Sequence, residues 1–486
     1  MPTKPISLLP LRVFMIINIC LIILIPHLHL NATTLEQHQE AAEARKLLPI
    51  ESNLIENWPA GPAIGAASAI LMEANTGVIL YAKNIHERQF PASTTKMMTC
   101  LLAANHANLN DIIPFSATAV NSISWDSSKI GIKAGQSLTF EQALYAAMVH
   151  SANDVTNGIA EFVGGDLETF AEMMTKKAAE LGAQNTNFLN SHGLFEEEHY
   201  TTAYDLALIA AAYFRHEMLA RIGNTVRYYI PPSENQPEEI YLRNRHRLIN
   251  GEIAVDYNII GGKTGFVSRS RQTLITAAEK DGMRLICVIL KQESPEQFFD
   301  TVKLFDYGFS NFQIVNVAAN ESRYTIQNAN FFQTGNDIFG DSSPLLSLNP
   351  ADYLVMPKTT DFRSLAADIT YYTSKTSAVA EIIYTYNNAY LGTATVDFAS
   401  ENRSTYDFDS QMPMEIPEPA KALEENVVFI NVRQVIFIVI TLAALAILFF
   451  IIRAALKSYH FNRRRKRRRK KPGLRHRRDR FKGYYL

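Results

Sequence analysis

Phe90-Pro91-Ala92-Ser93-Thr94-Thr95-Lys96 places a serine three residues before a lysine at the head of an apolar run. Pro91 suits the position just before a helix, and Met97, Met98, Leu101 and Leu102 continue at helical spacing. At that spacing Ser93 and Lys96 share one helix face. A lysine buried there is driven toward its neutral amine, which can accept the Ser93 proton. Alone the pattern is weak, because a capping serine followed by a solvated lysine is common. Two later motifs change its weight: Ser151-Ala152-Asn153, and Lys263-Thr264-Gly265 after the Gly261-Gly262 pair.

Outward from these motifs, residues 67–72 and 77–81 are apolar runs flanking Glu73-Ala74-Asn75-Thr76, the pattern of a β-hairpin. Residues 141–149 and 155–163 have helical periodicity, which puts Ser151 at a helix junction. Residues 167–181 and 202–214 read as further amphipathic helices. Residues 258–262 lead as a strand into Lys263-Thr264-Gly265. Two more strands, 272–278 and 284–290, are joined by the turn at Lys280-Asp281-Gly282. Helices near the first serine and a strand bearing Lys263 imply an α/β (α+β) domain with an antiparallel sheet and a helical subdomain, over residues 59–312.

Past Phe312 the helical pattern fades. Residues 369–372, 380–386 and 390–398 are rich in β-branched and aromatic residues, with Asn387-Asn388 as a turn. Residues 313–400 are therefore expected to form a small all-β domain. Residues 401–434 are polar, acidic at first and proline-bearing, and read as a stalk.

The chain has 486 residues, enough for about two or three domains. Its formal net charge of −1 conceals a division, because residues 453–486 carry 16 Lys and Arg against Asp479 alone. An acidic body thus precedes a basic tail. Lys4 and Arg12 precede an apolar run of about 13 residues, the core of a signal peptide over 1–32 with cleavage near Ala32. Residues 33–58 form a polar lead-in, helical or loose. Residues 435–452 are an apolar run of about 18 residues, a transmembrane helix candidate. The basic tail follows at once, so the positive-inside rule puts it in the cytoplasm and the folded body outside. The tail is a topology determinant that can also meet anionic lipid; nucleic acid is the weaker reading. Cys20, Cys100 and Cys287 are too few for a disulfide framework or a zinc site, and the last two sit in apolar runs as small hydrophobes. No metal and no cofactor are indicated.

In that order, Ser93-x-x-Lys96, Ser151-x-Asn153 and Lys263-Thr264-Gly265 resemble the penicillin-recognising serine acyltransferases. Gly135-Gln136-Ser137-Leu138-Thr139, Asn190-Ser191-His192-Gly193-Leu194, Tyr200-Thr201-Thr202-Ala203-Tyr204-Asp205-Leu206 and Phe305-Asp306-Tyr307-Gly308-Phe309 narrow this further. They look like the low-molecular-mass D-alanyl-D-alanine carboxypeptidases over residues 60–312, and more weakly through the β-rich segment. The resemblance implies a β-lactamase/transpeptidase-like domain acting on peptidoglycan stem peptides ending in D-Ala-D-Ala, with β-lactams as covalent inhibitors. It implies an enzyme of the bacterial cell membrane with its catalytic domain on the extracytoplasmic side.

It further implies Ser93 as nucleophile, Lys96 as general base and Ser151 as proton relay to the leaving amine. Asn153 would hold the substrate amide, Lys263 would keep the site electropositive and Thr264 would bind the terminal carboxylate. Gly265 would let substrate backbone approach, and the N–H groups of Ser93 and Phe266 would form the oxyanion hole. His192 and His150 are expected to be structural. The chain departs from the family pattern at Val267, at Ser270-Arg271 and at Gln297, where many relatives carry an arginine. Arg269 or Arg271 is the expected substitute. Two other readings compete: a slowly deacylating penicillin-binding sensor or wall-binding protein, and a β-lactamase, for which Glu196-Glu197-Glu198-His199-Tyr200 offers a poor match.

Overall fold

The computed structural model describes residues 35–323, 346–372 and 378–398. The expected signal peptide, stalk, membrane span and basic tail lie outside those residues. Among the described residues no helix is long and apolar enough to cross a membrane.

The lead-in forms a helix, Leu35–Arg45. β1 (Ser68–Glu73) and β2 (Ile79–Lys83) make the expected hairpin, with Ile70 opposite Ala82. The Glu73 carboxylate fixes its turn by accepting from the N–H groups of Asn75 and Thr76 at 3.0 and 2.7 Å. One 3-10 turn, Ala92–Thr95, then runs into the helix Lys96–Ala104. β3 (Ile112–Pro114) and β4 (Ser137–Thr139) pair as a short ribbon that the sequence reading did not anticipate. A Thr139–Gln142 capping box starts the helix Phe140–Tyr145, which widens into a π-helical turn, Ala146–His150. The helix Asn153–Gly164 follows.

Asp166 and Thr202 cap the helices Leu167–Glu180 and Ala203–Arg215, their side chains accepting from the N–H groups of Thr169 and Asp205. β5 (Arg227–Ile230) and β6 (Ile240–Arg243) form a second unanticipated ribbon. β7 (Asn258–Val267), β8 (Arg271–Lys280) and β9 (Met283–Gln292) then run as an antiparallel meander, and the helix Glu296–Asn311 returns across them.

The N-terminal hairpin joins this meander through β1 and β9, with Ile70 opposite Val288, giving the order β2-β1-β9-β8-β7. The sheet is covered on both faces. Ile70, Met72, Ile286 and Val288 pack with Met97, Met98 and the helical subdomain. Ala69, Leu71, Leu285 and Cys287 pack with Phe298, Leu304 and Phe305. Burial on both sides is why β9 reads as a continuous apolar run rather than an alternating one. β7 is left at the edge of the sheet, and its edge faces Ser93.

β10 (Phe312–Asn316) pairs with β12 (Tyr353–Pro357), while β11 (Leu346–Leu348), β13 (Ala366–Tyr371), β14 (Ala378–Tyr386) and β15 (Ala389–Phe398) form a sheet in the order β11-β15-β14-β13. Leu354, Tyr384 and Leu391 share the apolar cluster of Phe305. Cys100 and Cys287 are free and buried, and burial pushes the Cys100 thiol up to about 12.

The helix Glu296–Asn311 approaches the sheet most closely at Gly308, where an added Cβ would lie 2.7 Å from both Leu285 Cδ1 and Leu71 Cδ2. Gly308→Val overfills that contact and should destabilise the domain by about 2 kcal/mol. A thermal melt followed by circular dichroism checks this, with an unchanged midpoint as the contrary result.

Candidate active site

Ser93 sits on the 3-10 turn, half-buried, with Lys96 one turn on and fully buried. The residue before the nucleophile candidate, Ala92, has φ 51, a conformation an alanine rarely adopts. Four buried threonines hold this backbone. Thr94 Oγ1 and Thr273 Oγ1 both donate to the Pro91 carbonyl, at 2.7 and 2.9 Å. Thr95 Oγ1 meets His199 Nε2 at 3.0 Å, and Thr99 Oγ1 donates to the Ser191 carbonyl at 2.6 Å.

Lys96 Nζ lies 3.1 Å from Ser93 Oγ, 2.6 Å from Asn153 Oδ1 and 2.7 Å from the His192 carbonyl. Two of these partners can only accept, and they use two N–H bonds of an amine. A neutral amine then has its lone pair left for the Ser93 O–H. Burial, reinforced by the nearby Lys263 charge, holds Lys96 well below the usual lysine range. The geometry and the electrostatics both make this amine a proton acceptor for Ser93.

Ser151 terminates the π-helical turn in a left-handed conformation, φ 65 and ψ 36. Lys263 Nζ donates to Ser151 Oγ at 3.0 Å and to the Thr264 carbonyl at 2.8 Å. Lys263 is itself buried, which pushes its pKa down to about 7. With its oxygen accepting from Lys263, Ser151 keeps its own proton to donate. Asn153 accepts at 2.6 Å through Oδ1 from Lys96, which leaves its amide N–H groups for a ligand carbonyl. Its neighbour Asp154 accepts from the N–H groups of Gly131 and Ile132 and pins the loop in front of the motif.

Two glycines are dictated by close approach. A Cβ on Gly265 would lie 2.8 Å from the Ser93 nitrogen, so β7 runs against the nucleophile's backbone. Ser93 and Phe266, the residue after Gly265, line the same cleft. A Cβ on Gly193, which has φ 83, would lie 1.8 Å from the Ala92 carbonyl oxygen. That contact lets the loop of Ser191 and His192 deliver a carbonyl to Lys96. The His192 ring is held well below the usual histidine range by burial and by Lys96, and its Nδ1 accepts from the Leu194 N–H at 3.1 Å. The His150 carbonyl accepts from Ser128 Oγ at 3.0 Å.

Ser93, Ser151, Asn153, Thr264, Gly265 and Phe266 thus line one cleft of about 650 Å³, with Lys96 and Lys263 beneath its floor. The expected carboxylate substitutes are not there. Arg271 makes a bidentate pair with buried Glu293, with Nε and Nη2 at 2.9 and 2.6 Å from its oxygens, and Arg269 lies over the Phe195 ring at 5.9 Å. The buried carboxylate holds Arg271 away from the cleft. Arg245 and Arg247 line the cleft instead, together with Gln272 and Gln297. The alternation Arg243-Asn244-Arg245-His246-Arg247 is the sequence signal for these two arginines. Asp126 is the one acid among the cleft-lining residues described, and Glu196 lines a separate groove. Among the described residues no group of three His, Cys, Asp or Glu is placed to hold a metal ion.

Residues 55–294 match the family described as D-alanyl-D-alanine carboxypeptidase. The D-alanyl-D-alanine carboxypeptidase DacF of Bacillus subtilis is 36% identical over 251 residues, covering 51% of this chain and 63% of that one. DacB2 of Mycobacterium tuberculosis, of the same description, is 30% identical over 261 residues, covering 52% of this chain and 84% of that one. The chain therefore spans less than two thirds of the Bacillus relative but most of the mycobacterial one. Penicillin binding protein 5 from Haemophilus influenzae superposes with a TM-score of 0.56 at 25% identity, covering 70% of this chain and 98% of that structure.

With Lys96 as its proton acceptor, Ser93 would be acylated only while that amine is neutral, so the labelling rate should rise from acid and level off below the usual lysine range. Removing the Lys263 charge raises the Lys96 pKa, so Lys263→Gln should move this acid limb to higher pH. Labelling rates with a fluorescent β-lactam across pH check the direction; an unmoved limb would show that Lys263 does not tune Lys96.

Proposed function

The chain belongs to the D-alanyl-D-alanine carboxypeptidase family, and from that premise we propose that it removes the terminal D-alanine from peptidoglycan stem peptides through a Ser93 acyl-enzyme. The observation that carries this is Lys96 Nζ, 3.1 Å from Ser93 Oγ with two neutral acceptors at 2.6 and 2.7 Å and a depressed pKa. Ser93 Oγ attacks the carbonyl between the two D-alanines while its proton passes to Lys96. The N–H groups of Ser93 and Phe266 take the developing oxyanion, a contribution of about 3 kcal/mol per donor in comparable sites. Ser151 passes a proton to the departing amine, poised by Lys263 at 3.0 Å. Asn153 holds the substrate amide, and Thr264 takes the carboxylate in a cleft that Arg245 also lines. Water then cleaves the ester, and β-lactams stop at the acyl stage.

The domain partition belongs to the same proposal. Residues 59–312 are the catalytic domain and 313–400 a small all-β domain. Residues 1–32 direct export, 401–434 are a stalk and 435–452 span the membrane, leaving 453–486 in the cytoplasm beside anionic lipid. Hydropathy and the 16 cations after residue 452 support this topology. The β-lactamase reading loses ground, since Glu196 lies away from the cleft.

Full-length protein in detergent should release D-alanine from diacyl-Lys-D-Ala-D-Ala, and Ser93→Ala should lower the rate by at least about 10³-fold. A stable β-lactam adduct at Ser93 without D-alanine release would instead favour the sensor. Absence of both would sink the acyl-transfer reading.

A further inference from the structure

His199 belongs to none of the three motifs, yet its ring is buried, 2% exposed, against the first of them. Its backbone starts a short splint. Thr201 exchanges both backbone hydrogen bonds with Gln89, at 2.8 and 2.9 Å, and Tyr200 exchanges both with Asn187, at 2.9 and 3.1 Å. Residues 199–201 thereby tie together two segments far apart in sequence. The segment from Gln89 leads into the turn of Ser93 and Lys96. The segment from Asn187 leads into the loop of Ser191, His192 and Gly193.

The His199 side chain reaches both. Nδ1 accepts from the Leu189 N–H at 3.1 Å, and Nε2 lies 3.0 Å from Thr95 Oγ1. A peptide N–H can only donate, so Nδ1 carries no proton and Nε2–H donates to Thr95. Burial pushes the ring's pKa down to about 3, which keeps this neutral form in place, and the Phe188 ring stands edge-on to it at 5.5 Å. Each contact bears on a partner of Lys96. Thr95 shares the turn of Ser93 and directly precedes Lys96, while Leu189 opens the loop whose His192 carbonyl accepts from Lys96 Nζ at 2.7 Å. The two segments meet again at Gly193, where an added Cβ would lie 1.8 Å from the Ala92 oxygen and 2.8 Å from Thr95 Oγ1. His199 is not among the residues that line the cleft, so its effect on a ligand passes through these neighbours.

We propose that His199 is a positioning residue for acylation, one neutral imidazole that sets the spacing between the nucleophile's turn and the carbonyl that aims its base. The inference rests on the Ser93 acyl-enzyme reading and adds no step to it. The Ser93 proton still passes to Lys96 as Oγ bonds to the carbonyl carbon, and His199 neither gains nor loses a proton. Without the ring, the splint's backbone bonds and the Thr99 hydroxyl on the Ser191 carbonyl still hold the loop, so the site loosens without unfolding. A misplacement of about 1 Å costs about 10²-fold in rate, and a cleft whose lining is unchanged keeps its affinity.

The test uses full-length protein in detergent, a fluorescent β-lactam and diacyl-Lys-D-Ala-D-Ala. Labelling stoichiometry counts folded sites, and the labelling rate per site reads the positioning. His199→Leu should keep its stoichiometry while the rate per site falls about thirtyfold, with D-alanine release falling through kcat and KM held within about twofold. Asparagine places an oxygen where Nδ1 accepts and glutamine an N–H where Nε2 donates, so His199→Asn and His199→Gln should each recover about fivefold. Adding Thr95→Val should remove the glutamine's gain and leave the asparagine's. An unchanged rate per site in His199→Leu overturns the inference. A fall in stoichiometry alone does so too, as does a rise in KM at constant kcat. If His199→Leu does not fold, wild-type rates in both polar variants overturn it. Wild type that labels without releasing D-alanine would remove the carboxypeptidase reading, while the labelling rates still decide the role of His199. No labelling at all would sink both.

Discussion

The arrangement depends on a lysine buried without a carboxylate partner. Lys96 is fully buried, and its hydrogen-bonding partners are a serine hydroxyl, an amide oxygen and a peptide carbonyl. Keeping an ammonium there would cost several kcal/mol, so the group neutralises instead. That requirement reaches through the structure. The Gly193 loop must press against the Ala92 carbonyl to supply its acceptor, and the Asn153–Gly164 helix must start where Asn153 can supply the second. β7 must also bring Lys263 near enough to oppose protonation without sharing a proton.

Two non-glycine residues at the site hold left-handed backbone, Ala92 at φ 51 and Ser151 at φ 65. Each costs about 1–2 kcal/mol. They persist because the sheet is packed on both faces, with Met97 and Met98 on one side and Phe298 and Phe305 on the other. Thr273 on β8 ties the sheet to Pro91 at 2.9 Å, so the strain at Ala92 is held by the strand opposite Gly265. Side chains of modest size, placed on rigid elements, set the proposed nucleophile to within a hydrogen bond of its base.

Charge is distributed along the cleft rather than gathered at one anchor. Lys263 is buried beneath the cleft, and Arg245 and Arg247 line it together with the neutral amides Gln272 and Gln297. Arg271 is withdrawn into a buried pair with Glu293, and its guanidinium lies 5.5 Å from the Phe266 ring. There it steadies the strand end that carries Phe266, whose N–H is a proposed oxyanion donor. The cation expected from the turn after β7 is therefore used in support, and the ligand-facing cations come from the segment after β6.

By itself the sequence determined the local elements and the three motifs. Apolar runs bounded by turns placed β1, β2, β7, β8 and β9, and the 3.6-residue pattern placed the helices around Ser93 and Ser151, because both are dictated by how much of each element is buried. Ser93, Lys96, Ser151, Asn153, Lys263 and Thr264 were legible because their types and spacing are restrictive together. The ribbons of β3–β4 and β5–β6 were not, being short and half-exposed, with too few buried positions to show a period. Nor was the pairing of β1 with β9, which joins segments more than two hundred residues apart. Tertiary structure alone decided which arginines face the cleft. A guanidinium goes where a buried carboxylate or an open wall lets it go. Glu293 took Arg271 inward and left Arg245 exposed beside the site, a choice between partners distant in sequence that no local pattern encodes.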